Sequence, residues 1–266
     1  MYLGIPVVMA YNLLACILRS LGDSQTPLHA MIVAAIVNIV LDLLFVLGFG
    51  LGIGGAAAAT LIAQLVSSFY CLHYIRRIDI LTLTPADFRL QKGLPVRLFV
   101  LGFPMAFQNA IISIGGMIVQ FVVNGFGVLF IAGFTATNKL YGMLEVAATS
   151  YGYAMVTYVG QNLGAGRTDR IRKGMKASLL ISLITSVVIA VIMLLAGKAI
   201  LSCFISGTPQ EFEQTLQIAY FYLAIMSVCL PILYILHVTR SAIQGMGNTV
   251  LPMVSGIAEF IMRAVT

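Results

Sequence analysis

The spacing of charge limits this chain more than anything else in it. Its 15 basic and 9 acidic residues are bunched rather than spread through the 266 positions. None falls between Arg97 and Lys139, none between Glu213 and Arg240, and Asp42 alone lies between Asp23 and Arg76. Runs of about 20 apolar residues without charge span a bilayer as helices. With 60% of residues hydrophobic and 9% charged, a water-soluble globule is excluded. Strand spans would need strict alternation over about 9–11 residues, and there is none. The expected class is therefore an all-α polytopic membrane protein. Its spans are expected at 1–18, about 27–48, 54–75, 98–123, 129–160, 177–205, 214–239 and at 250–266, about eight helices in all.

Numbering those spans in order puts alternate loops on opposite sides, and twelve of the fifteen basic residues then share one side. They are Arg19; Arg76, Arg77, Arg89, Lys92 and Arg97; Arg167, Arg170, Arg172, Lys173 and Lys176; and Arg240. By the positive-inside bias that side is cytoplasmic, in the plasma (inner) membrane. The net charge of +6 is thus topological, and no nucleic-acid partner is expected. Cys16, Cys71, Cys203 and Cys229 stand apart in apolar stretches, as packing or lipid-facing residues rather than a metal or disulfide set. No removable signal peptide is expected at Met1, where no basic region precedes the apolar run.

An internal repeat organises the spans. The first passes from Tyr2-Leu3-Gly4-Ile5 through Arg19-Ser20 to Gly22, with Pro27 five residues on, and the seventh passes from Tyr222-Leu223-Ala224-Ile225 through Arg240-Ser241 to Gly247, with Pro252 five residues on. Spans six passes apart run the same way, so the unit is a parallel six-helix repeat. Residues 1–75 are then the end of an N-terminal lobe, 76–97 a cytoplasmic linker, and 98–266 most of a C-terminal lobe. On this count the chain holds helices four to eleven of twelve, with three expected upstream and one downstream.

The run Leu18-Arg19-Ser20-Leu21-Gly22-Asp23 with Thr26-Pro27, Asn38, Asp42 and Gly54-Gly55-Ala56-Ala57-Ala58-Ala59-Thr60 resembles the fourth to sixth helices of the multidrug and toxic compound extrusion (MATE) transporters. Val159-Gly160-Gln161-Asn162-Leu163-Gly164-Ala165-Gly166-Arg167 resembles that family's loop after its eighth helix. Gln244-Gly245-Met246-Gly247-Asn248 with Pro252 resembles its tenth-to-eleventh turn. The resemblance covers nearly the whole chain and is nearest to the bacterial branch of the DNA-damage-inducible transporters. It implies two lobes around a central cavity, exporting organic, often cationic, compounds by alternating access in exchange for H⁺ or Na⁺. It implies no cofactor beyond that coupling ion, and a monomer. The acid usually assigned to coupling on the family's first helix has no counterpart here, and an acidic position of the seventh helix is replaced by Gln108.

Ionisable groups at mid-membrane cost about 2.5–3.5 kcal/mol each on insertion scales, so each is a candidate. Asp42 has Asn38 one turn earlier on the same face, a setting for proton exchange or cation binding; the alternative is a structural carboxylate bonded to a neighbouring helix. Glu259 and Arg263, also i, i+4, could neutralise each other as a static pair or belong to a site between repeats. Asn138 and Lys139 could face a cavity, and Gln108 could line a solute route or cross-link helices. The small residues Gly54 to Ala59 suit close helix approach. Gly50-Leu51-Gly52-Ile53-Gly54-Gly55 matches a dinucleotide fingerprint only in letters, lacking a strand before it and an acid after it. His29, His73 and His237 are scattered, and no catalytic cluster marks an enzyme. A lipid-linked oligosaccharide flippase of the wider superfamily is the alternative, although only Lys139 and Arg263 would serve a pyrophosphate; a membrane enzyme or scaffold is the reading from another class.

The loop assignment predicts a labelling pattern. In a cysteine-free background, cysteines placed at Ser206 and Gly125 should react in intact cells with an impermeant thiol reagent, and one at Gln91 should not; the reverse pattern would overturn the orientation.

Overall fold

The computed structural model describes residues 4–78 and 93–265, which form eight α-helices and, among the described residues, no strands. These are α1 (Ile5–Ser20), α2 (Gln25–Asp42), α3 (Gly52–Ile75), α4 (Leu94–Val123), α5 (Val128–Gly164), α6 (Thr168–Ser202), α7 (Pro209–Gly245) and α8 (Val250–Val265). Five of these segments are long and apolar enough to cross a bilayer: Gln25–Gly48, Gly52–Ile75, Leu94–Phe126, Thr168–Ser202 and Pro209–Gly245. The chain is a multi-pass membrane protein. It divides into two compact units, Met1–Leu90 and Gln91–Thr266, a boundary inside the stretch read as a linker, most of which lies outside the described residues.

Two helices start earlier than hydropathy suggests. α6 begins at Thr168, so Arg170, Arg172, Lys173 and Lys176, read above as loop residues, sit on helix that continues beyond the apolar span; Asp169 in its first turn suits the positive end of the helix dipole. Likewise α4 starts at Leu94, with Pro95 in the first turn where its missing N–H costs nothing. The motif read as a loop at Val159–Arg167 is helix as far as Gly164.

In the first unit α3 packs against both α1 and α2. Its core gathers Tyr11, Ala15, Leu18, Ala30, Cys71 and Ile75. Of the small-residue run, Gly55 and Ala59 are buried while Gly54 is exposed. A Cβ at Gly55 would press on Phe45 and Leu51 at 3.0 and 2.9 Å, so close approach is confined to one face. After Asp42 the backbone widens into a π-helical turn, Leu43–Gly48.

In the second unit α5, α6 and α7 pack together, and α8 joins α4 to this bundle. Lipid tails are as apolar as leucine, so helix association there rests on close packing and on hydrogen bonds between helices. Both are present. Thr137 Oγ1 donates to the carbonyl of Ala219 at 2.9 Å, Tyr234 to that of Leu144 at 2.9 Å and Tyr220 to that of Leu194 at 2.8 Å. Glycines bring α5 and α7 into backbone contact: a Cβ on Gly133 would lie 3.1 Å from the Thr215 carbonyl oxygen, and one on Gly245 2.8 Å from that of Val156.

The repeat reappears as one turn built twice. Asp23 Oδ1 accepts from the N–H groups of Gln25 and Thr26, and Asn248 Oδ1 from those of Val250 and Leu251. Gly22 and Gly247 supply the left-handed residue at φ 91° and 83°, and Asp23 N–H and Asn248 N–H close back on the carbonyls of Leu18 and Ile243. The Thr26 hydroxyl and backbone N–H hold the Asp23 carboxyl below its usual range. The Arg-Ser part of the repeat does not carry over: Arg19 is in the last turn of α1, whereas Arg240 lies more than a turn inside α7.

Because the α5–α7 seam has no room at Gly245, Gly245→Val should destabilise the second unit by about 1–3 kcal/mol. Thermal unfolding in detergent should show a lowered midpoint, whereas Gly54→Val, with nothing within 4 Å of its Cβ, should leave the midpoint unmoved.

Candidate functional site

Each unit holds its own group of polar side chains within the apolar helices. In the first, Asn38 and Asp42 project from α2, and Asp42 is its last α-helical residue before the π turn. Local departures from α geometry of this kind frequently mark functional positions. Asn38 Nδ2, Asp42 Oδ1 and, on the adjoining α3, Gln64 Oε1 are buried with no hydrogen-bond partner among the described residues. One donor and two acceptors are thus shut away from solvent. Thr60, also on α3, spends its hydroxyl on the carbonyl of Ala56.

In the second unit one carboxylate gathers two charges. Glu259 on α8 gives one oxygen to each of two arginines: Oε2 to Arg240 Nη2 at 3.2 Å and Oε1 to Arg263 Nη2 at 2.6 Å. Arg240 adds two bonds to Ser255 Oγ, 3.0 Å from Nε and 2.6 Å from Nη2. It is the more enclosed guanidinium, 11% exposed against 39% for Arg263. The stem of Arg263 runs over Gly115 of α4, where a Cβ would stand 3.3 Å from its Cδ. One helical turn before Arg240, His237 Nε2 approaches Glu145 Oε1 of α5 at 3.6 Å.

The structure joins Glu259 to Arg263 as their spacing suggests, and adds Arg240, which the sequence reading placed in a loop as an orientation signal. A signal was available: His237 and Arg240 are i, i+3 on α7, and Ser255, Glu259 and Arg263 are successive i+4 steps on α8, two polar stripes on neighbouring helices. The pairing of His237 with Glu145 links positions 92 residues apart, beyond reach of any local pattern.

Asn138 and Lys139 turn to different places, as successive helical residues must. Asn138 Oδ1 lies 3.5 Å from the hydroxyl of Tyr222, whose ring stacks on Phe134 with centroids 5.1 Å apart. Beside that pair is a cavity of about 480 Å³, lined by Phe130, Phe134, Ile218, Phe221 and Tyr222 among others. Lys139 instead borders a second cavity of about 410 Å³, which it shares with Glu211 and Thr215; Glu211 is held by Thr208 in the capping box of α7. Gln108 is buried, 4% exposed, in the space left by Gly256 of α8, where a Cβ would come within 2.7 Å of its Cγ. It packs α4 against α8 rather than lining an open route.

Comparison with known proteins agrees with this helical fold. The chain is 30% identical over 171 residues to a probable multidrug resistance protein, YpnP, of Bacillus subtilis, covering 64% of this chain and 38% of that one. It is 22% identical to the multidrug export protein MepA of Staphylococcus saprophyticus, over 97% of this chain and 57% of MepA, and 26% identical to a FAD transporter of Shewanella oneidensis, over 80% and 48%. The chain thus spans about half the length of these relatives, which are transporters rather than enzymes. Among solved structures, the Vibrio cholerae MATE transporter VcmN superposes with a TM-score of 0.85 at 21% identity, over 93% of this chain and 55% of that one. A MOP superfamily transporter from Pyrococcus furiosus, reported to have a binding pocket of reversed polarity, gives 0.78 at 21% identity, over 91% and 54%. The MatE family model matches residues 104–266, more than half of the chain, and the chain therefore belongs to the MatE family, that of the multidrug and toxic compound extrusion transporters.

Proposed function

We propose that the protein exports organic, often cationic, compounds across the plasma membrane in exchange for H⁺ or Na⁺, by alternating access, and that Asp42 is a coupling group. The observation that carries this is the unpartnered Asp42 Oδ1, with Asn38 Nδ2 and Gln64 Oε1 in the same condition. A buried carboxylate oxygen without a donor costs more than a hydrogen-bonded one by about 1–3 kcal/mol, and more still when charged. Such a group is stabilised by taking up a proton or by holding a cation, and it releases either when the site is wetted. Two lobes rocking about a site would supply that alternation. The relatives named as multidrug exporters support the substrate class.

In the complete protein, Asp42→Asn should reach the membrane at normal abundance and still bind substrate, while export loses its dependence on the imposed gradient. Efflux measured against pH and Na⁺ gradients separates this from a structural role, for which the amide would keep export and its gradient dependence nearly normal.

A second substrate class is favoured by one observation, the sharing of a single carboxylate by two guanidiniums. The trio Arg240, Glu259 and Arg263 carries a net positive charge, and Arg263 is its exposed end. Such a group suits a compound bearing a carboxylate or phosphate, in keeping with a relative named as a FAD transporter. If the substrates include organic anions, Arg263→Gln should lower export of an aromatic carboxylate by roughly 10- to 100-fold and leave export of an aromatic cation unchanged. Equal loss of both would assign Arg263 to helix packing.

A further inference from the structure

The turn between α5 and α6 borders an open cavity of about 530 Å³ that the transport reading does not use. It is lined by Tyr158, Gln161, Asn162, Ala165, Arg170 and Lys173. Its walls are set by contacts within α5 and between α5 and α6. The Tyr158 hydroxyl donates to the carbonyl of Arg170 at 3.0 Å, Asn162 Nδ2 donates to the carbonyl of Tyr158 at 2.8 Å, and the Tyr158 ring fills the space that Gly174 leaves open on α6. Met155, Val159 and Val238 pack beneath, with Tyr158, Ile171 and Met175 against them.

The electrostatics of this turn are one-sided. Asp169 is its one acid, and it pairs with Arg167 at 3.5 Å. Arg170, Arg172, Lys173 and Lys176 make no salt bridge among the described residues, and of these Arg170 and Lys173, i, i+3 on α6, line the cavity. The planar fork of Arg170 beside the ammonium of Lys173 is a donor set for a phosphate. Depth then selects the source of that phosphate. Lys176 is the last charge on α6 before Lys198, and Leu180, Ile181, Ile184 and Val187 follow it as exposed apolar side chains. A phosphate in the cavity therefore stands where an apolar helix surface begins, at headgroup level, with bare hydrocarbon-facing helix below it for acyl chains. Basic pockets between helices at this level are the sites that bind anionic lipid headgroups.

We propose that this cavity is a binding site for the phosphodiester headgroup of an anionic phospholipid, seated on Arg170 and Lys173 with its acyl chains along α6. The site is independent of the transport reading and of which substrate the protein carries.

The test reconstitutes the protein in phosphatidylcholine nanodiscs containing a minor fraction of phosphatidylglycerol and counts retained anionic lipid by native mass spectrometry. R170Q/K173Q should reduce retention by roughly 10- to 30-fold, the loss for two cations near a membrane surface. R172Q/K176Q removes the same charge from the same helix but not from the cavity lining, and should leave retention within about twofold of the parent. Equal losses in the two doubles would overturn the site in favour of diffuse attraction. Displacement of the lipid by added inorganic phosphate would overturn it in favour of a soluble anion. Should R170Q/K173Q lose helical content, R170K decides: it keeps the charge and loses the fork, so retention falls if the cavity recognises the headgroup and stays at the parent level if it does not.

Discussion

Everything in this molecule follows from the absence of water beside most of its surface. A backbone N–H or C=O facing hydrocarbon has no partner except one supplied by the chain, which leaves helices as the form such a sequence can take. The same constraint then selects which side chains hold the helices together. Burying leucine against leucine contributes little when the alternative is lipid, so the tight contacts fall at Gly133, Gly152 and Gly245, and the directional ones at tyrosine and threonine hydroxyls aimed at carbonyls of the neighbouring helix. Large apolar residues such as Leu195, Phe121 and Ile53 are correspondingly turned outward.

Against that background the few polar groups meet their needs differently. In the second unit the charged groups of α7 and α8 satisfy one another, while Ser227 Oγ of α7 is buried without a hydrogen-bond partner among the described residues. Glu259 is saturated by two arginines, Ser255 takes the spare donors of Arg240, and Glu145 has His237. Removing one partner of such a set leaves an uncompensated charge, which is why these networks resist change. In the first unit Asn38, Asp42 and Gln64 keep buried atoms unpaired. A group whose needs are met by its neighbours has little reason to exchange a proton or ion. A group left unmet gains from each exchange, and among the buried unpartnered groups Asp42 is the ionisable one, which is the basis of the role proposed for it.

The doubled turn shows how an internal repeat is conserved in form while its chemistry diverges. Asp23 and Asn248 make the same pair of bonds to the next helix start, after glycines in the same left-handed conformation. The turn needs an acceptor and a positive φ, and either Asp or Asn supplies the first. The arginines before the two turns are under no such backbone requirement. Arg19 stays at the end of α1, while Arg240 sits deeper in α7 and is drawn into an ion-pair network with α8.

Much of this was legible in the residues. Helix class, the number of helices, the family and the pairing of Glu259 with Arg263 follow from composition, charge-free runs, motif order and i, i+4 spacing, because all of these are local properties of one helix or one segment. Hydropathy alone misplaced the start of α6, since helices do not stop where the bilayer does. It also gave Arg240 to a loop, since a single arginine near a span end reads as an orientation signal. The encounters between helices lay outside its reach: Glu145 with His237, Arg240 with Glu259, Gln108 against Gly256, and the cavity under Tyr158. Each depends on helix rotation and on where a glycine permits approach. Those are decided by packing many side chains at once, and only the tertiary structure states the result.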